Sequence, residues 1–121
     1  MKNCVIYCTV ASEFAASLIA TTLVDEKLAA CVSIIKNVVS VYSWEGISQT
    51  DNELILMIKT REELFEKVKT RILQIHDAQL PEIIAVPITM GLDGYMQWIQ
   101  DVTQVDGSIQ QDNTEDTNAQ N

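Results

Sequence analysis

Residues 30–44 constrain this chain most. Val32, Ile34, Ile35, Val38, Val39, Val41, Tyr42 and Trp44 make the run rich in β-branched and aromatic residues, the composition of a strand. Its length predicts one long strand, and the polar pair Lys36-Asn37 predicts a bend within it. Glu45-Gly46 opens a turn, and Gln49-Thr50-Asp51-Asn52 reads as a polar stretch. From Glu53 to Thr60 a second strand sets Leu54, Leu56 and Ile58 against Ile55 and Met57. The two strands form a long hairpin. The neighbours Ile34-Ile35 and Val38-Val39 leave neither face of it polar. An antiparallel sheet with one solvated face shows cleaner alternation, so this sheet requires cover on both sides.

The flanking segments supply cover for one side. Lys2–Val10 reads as a strand, with Cys4, Ile6 and Cys8 on one face and Val5, Tyr7 and Thr9 on the other. Ser12 is a candidate N-cap for a helix running to about Lys27, and Glu13 complements its dipole. Ala15, Leu18, Ile19 and Leu23 form its expected buried stripe. Thr60 and Glu63 have the spacing of a capping box. The helix that follows carries Leu64, Phe65, Val68, Ile72 and Ile75 inward and ends at His76. Ile83–Thr89 reads as a strand whose Pro87 must lie at an edge or outside regular pairing. Residues 94–99 form a short amphipathic helix.

The order is β-α-β-β-α-β. Right-handed crossovers put both helices on one face of the sheet, a ferredoxin-like α+β sandwich. The other face is then left to the short C-terminal helix, which is too small for it. A second copy of the chain is the expected cover. Residues 1–102 make the domain, and residues 103–121 are expected to be a disordered, acidic, polar tail.

The net charge is −9, and five acidic residues without a basic one fall from Asp101 onward, leaving −4 on residues 1–100. Such a chain is a poor partner for nucleic acid or an anionic membrane. No apolar stretch approaches the roughly 18–20 residues of a membrane span. No signal-peptide pattern opens the chain, which makes the cytoplasm the expected address. Three cysteines without a Cys-x-x-Cys pair argue against a disulfide framework, and one His argues against a Cys/His zinc site within one subunit.

Several segments together resemble the CutA divalent-cation tolerance family. They are residues 5–9, the run Leu28-Ala29-Ala30-Cys31-Val32, the Tyr42-x-Trp44-x-Gly46 turn, Ile58-Lys59-Thr60, Pro81-Glu82-Ile83-Ile84 with Pro87-Ile88, and Tyr95-Met96-Gln97-Trp98-Ile99. The resemblance spans residues 2 to about 100. It implies a homotrimer with sheets packed around a three-fold axis, an architecture similar to PII-type signalling proteins. It further implies a role in tolerance or response to divalent metals, copper especially, without enzymatic activity. The family's proposed copper ligands match Cys8 and His76 here, while Ile75 stands where a second His is usual. The family's His-Pro-Tyr-Glu run is replaced by His76-Asp77-Ala78-Gln79.

Read as residues, His76 is either a metal ligand or a cap at the end of its helix. Cys8 is either a soft thiolate for copper or another divalent cation, or a small core hydrophobe. Cys4 and Cys31 read as core. Tyr42, Trp44, Lys59 and Glu82 are candidates for a small-molecule pocket between subunits. Lys59 suits an anionic ligand or a salt bridge across the subunit interface, Glu82 pairs with Lys59 or with a neighbouring subunit, and Tyr42, Trp44, Tyr95 and Trp98 either line that pocket or fill the interface. A PII-like sensor binding a ligand there is the alternative function, and an adaptor that recruits a protein partner through the acidic tail is another. No Gly-rich phosphate loop or Ser/Cys-His-Asp set is present, so no enzyme is expected.

Overall fold

A computed structural model describes residues 2–104 of the chain. Strand β1 (Asn3–Val10) leads to helix α1 (Glu13–Asp25), then strands β2 (Cys31–Trp44) and β3 (Ile47–Arg61). A single 3-10 turn (Glu62–Leu64) precedes helix α2 (Phe65–Ile75), strand β4 (Ile83–Pro87) and helix α3 (Asp93–Val102). The sheet order is β2-β3-β1-β4, with every neighbouring pair antiparallel. Strands β1 and β2 therefore run parallel with β3 between them.

The hairpin explains itself at both irregular points. Trp44 pairs with Ile47, so its loop is only Glu45-Gly46, and both residues have positive φ. That twist matches the flanking strands. Because so short a loop fixes the register, Gln49–Asn52 pairs with Val39–Tyr42 and belongs to β3. The polar stretch expected to precede the strand is thus its first half. The bend falls where Lys36-Asn37 predicted it: the register shifts between Ile35 and Val38, and Asn37 has φ 62°. Asn tolerates that left-handed conformation better than most residues.

Helix α1 starts as expected, with Ser12 Oγ accepting from the Ala15 N–H at 3.1 Å. It ends at Asp25, before Lys27. The Leu28 N–H reaches Leu23 O and the Lys27 N–H reaches Val24 O, with Lys27 at φ 60°. This is the paired C-terminal closure usually given to glycine. The buried positions are Ala16, Ile19 and Leu23. The stripe is rotated from the expected one, and Leu18 is left outside.

Thr60 corrects the capping-box expectation. Its side chain is buried and its hydroxyl donates to Leu28 O at 2.6 Å, and no side chain caps the turn that follows. The sheet position of Thr60 faces the core, so its hydroxyl meets the α1–β2 connection first. Strand β4 stops at Pro87, short of Thr89, and lies at the sheet edge as its proline requires. Thr103 is buried and Gln104 donates to Lys27 O, so both are tied to the domain. The remainder of the expected tail lies outside the described residues.

The core lies on one face only. Cys4, Ile6, Cys8 and Val10 of β1 and Leu54, Leu56 and Ile58 of β3 pack with Ala16, Ile19 and Leu23 of α1 and Val68 and Ile72 of α2. On the far face, α3 holds one end. There Arg61 donates to Gln100 O at 2.6 Å and to Thr103 Oγ1 at 2.8 Å, and Asn3 donates to Met96 O at 3.1 Å. The rest of that face is open: Ile84 is 53% exposed and Val86 48%. No helix among the described residues is long and apolar enough to cross a membrane.

Candidate functional site

The end of β1, the tip half of the hairpin and the α2–β4 connection enclose a cleft of about 660 Å³. Ser40, Tyr42, Trp44, Gln49, Asp51 and Glu53 come from one face of the hairpin, as the alternation of β2 and β3 requires. His76, Asp77 and Glu82 come from the connection. Tyr42, Trp44 and Glu82 were expected at a pocket and are here. No motif points directly to Asp51; only the two-residue turn, by setting the register, puts it on Tyr42's face.

Lys59 is elsewhere. It pairs with Val5 and Cys31, whereas Glu82 lies beyond Ile83, which pairs with Cys8. The ion pair expected between Lys59 and Glu82 is not formed within the chain. Lys59 Nζ instead donates to Ser33 Oγ at 2.7 Å and sits 4.0 Å from Cys31 Sγ. Cys31 is accordingly half-buried on the open face and not part of the core.

The cleft holds the carboxylates of Asp51, Glu53, Asp77 and Glu82 and no Lys or Arg among its described lining residues. It therefore does not suit the anionic ligand that Lys59 had implied. The Tyr42 hydroxyl donates to Asp51. That bond, together with burial and the nearby Asp51 and Glu53 charges, raises the tyrosine's pKa.

His76 is held at both ring nitrogens. Nδ1 accepts from the Ala78 N–H at 3.0 Å, so it carries no proton. Nε2 is 2.8 Å from Thr9 O, a group that only accepts, so Nε2 bears the proton. Its side chain is 5% exposed, and the His76 N–H closes α2 on Ile72 O. Cys8 lies in the core on the helix side. Burial and then the Glu82 charge push its thiol up to about 12. A copper ion needs a thiolate and a free imidazole lone pair. In this arrangement His76 has no free lone pair, Cys8 is buried in the core, and Ile75 offers no donor. Among the described residues no three His, Cys, Asp or Glu side chains are grouped to hold a metal. The expected pair Cys8 and His76 does not fit a metal as it stands.

Comparison with known proteins gives a consistent result. The family described as CutA1 divalent ion tolerance protein matches residues 4–102. The chain is 44% identical over 103 residues to the chloroplastic protein CutA of Arabidopsis thaliana, covering 85% of this chain and 57% of that protein. It is 42% identical over 99 residues to the divalent-cation tolerance protein CutA of Thermus thermophilus, covering 82% and 96%. The solved structure of the Thermus thermophilus protein superposes with a TM-score of 0.83 at 41% identity, over 84% of this chain and 99% of that one. This chain thus spans nearly all of the bacterial relative and little more than half of the plant one.

Proposed function

This chain belongs to the CutA1 divalent ion tolerance family, and from that premise we propose a trimeric, non-enzymatic protein serving tolerance to divalent cations, copper among them. The observation that carries the reading is the open sheet face. Ile84 and Val86 on β4, with Ile35 and Ile47 on the hairpin, are apolar, exposed and on that face. Burying apolar surface stabilises by about 25 cal/mol per Å², and patches of this kind mark interfaces. A second copy is the natural cover, and the β2-β3-β1-β4 order with both core helices on one side supports a ferredoxin-like subunit.

The non-enzymatic reading rests on His76. It is the chain's one imidazole, and both of its nitrogens are committed to the backbone. An imidazole acting as general base needs a free nitrogen. The same commitment argues that cation tolerance does not run through metal capture by Cys8 and His76. The cytoplasm is the proposed compartment. The function is tested by growth in rising copper of cells lacking the protein. Restored tolerance with the wild-type chain supports the reading, and unchanged growth with or without the chain overturns it.

A further inference from the structure

We infer that the acidic, aromatic cleft of one copy is completed by Lys59 of a second copy. The inference rests on the self-association proposed above and names the contact that drives it. Two unsatisfied charge sets lie on the same open sheet face. Lys59 is half-buried, and no carboxylate among the described residues forms an ion pair with it; its hydrogen bond is to the neutral Ser33 hydroxyl. Glu53 and Glu82 lie in the cleft with no cationic partner among the described residues. Asp51 is already engaged by Tyr42.

The two sets cannot meet within one chain. Lys59 pairs with Val5, whereas the cleft begins at Thr9, which pairs with Ile55. Four residues along a strand separate them by roughly 13 Å. Once another copy covers the face, an ammonium without a counter-ion costs several kcal/mol. The cover must bring a carboxylate to it, and the cleft is where this chain keeps carboxylates without cations. The surroundings match as well. Tyr95 (38% exposed) and Trp98 (40%) of α3 occupy the Lys59 end, with their ring centroids 5.4 Å apart. Tyr42 (41%) and Trp44 (36%) occupy the cleft end. Each end presents half-exposed aromatics around its charge, as interface cores do.

The contact joins two patches of the same chain, so a two-fold dimer makes it reciprocally and a closed ring makes it head to tail. A three-membered ring satisfies all three lysines and all three clefts, and it assigns Lys59 a role that a single chain leaves empty.

Carbodiimide cross-linking of the assembled full chain tests this. A mixture of nitrogen-15-labelled and unlabelled chains is assembled, treated and digested, and its cross-linked peptides are weighed. An amide between Lys59 Nζ and Glu53 or Glu82 is expected in mixed-isotope pairs. It is expected to vanish in Lys59→Arg, which keeps the charge but cannot be acylated under these conditions. Lys59→Glu is expected to weaken assembly about tenfold or more, and adding Glu53→Lys and Glu82→Lys to restore it. An oligomer whose Lys59 is unlinked, or linked only within a chain, overturns this inference and leaves self-association standing. A chain that stays monomeric overturns both.

Discussion

Replacing Thr60 with valine should cost the fold about 1–3 kcal/mol, mostly through a group that is not itself mutated. The side chain is fully buried, and its hydroxyl donates to Leu28 O at 2.6 Å. Valine has the same shape, so no cavity opens. What is lost is the hydrogen bond, and the Leu28 carbonyl forfeits that donor in a place water does not reach. Leaving a buried acceptor unsatisfied costs about 1–3 kcal/mol. With a urea slope of about 1–3 kcal/mol per M, a 2 kcal/mol loss moves the unfolding midpoint down by about 1 M at unchanged slope. The assay is urea unfolding at fixed protein concentration, because an oligomer's stability depends on concentration. Glu63→Ala is the control. A capping box would make it as damaging as Thr60→Val. With Thr60 turned to Leu28 and the Glu63–Arg61 pair at 3.6 Å half-exposed, Glu63→Ala should cost less than about 1 kcal/mol. A Thr60→Val chain as stable as wild type, beside a destabilised Glu63→Ala chain, would refute this reasoning.

Three further outcomes follow from other parts of the chain. Burial raises the Cys4 thiol to about 11 and the Cys8 thiol to about 12 from an ordinary 9.0. Iodoacetamide at pH 8 should therefore spare both in the native chain and label them in denaturant. Because the unfolded thiols lose their protons first, stability should be unaffected by them below pH 9 and fall as pH rises from 9 toward 12, read by urea midpoints across that range. Asn37→Gly should be neutral or stabilising at φ 62°, whereas Asn37→Val should lose about 1–2 kcal/mol in thermal unfolding. His76→Ala should destabilise the metal-free chain and loosen residues 76–82 in hydrogen exchange. Isothermal titration with copper should give no stoichiometric heat that this substitution removes; a sub-micromolar site lost in His76→Ala would reverse our reading of that residue.

Much of the fold was legible because its strongest signals are local. The bend at Lys36-Asn37, the Ser12 cap and the edge position forced by Pro87 each depend on a few neighbouring residues. The apolar pairs Ile34-Ile35 and Val38-Val39 announced a sheet needing two covers. The misreadings lie where distant strands decide. Gln49–Asn52 looks like a loop by polarity, and only its pairing with β2 makes it a strand. Thr60 has a cap's spacing, yet its hydroxyl is taken by a carbonyl 32 residues away in the chain. The face of α1 slipped by one position because Ala15 and Ala16 carry nearly the same signal, and packing chose Ala16. Lys59 and Glu82 looked like partners until the register of β1 with β3 and β4 set them apart. The tautomer of His76 depends on one backbone N–H, at Ala78, that no side-chain pattern records.

Whether further copies of the chain cover the open sheet face is measured directly by sedimentation equilibrium of the purified protein, extended to sub-micromolar concentration. One species of three times the 13.5 kDa chain mass is expected, held without added metal. A species at 13.5 kDa that never associates would contradict it.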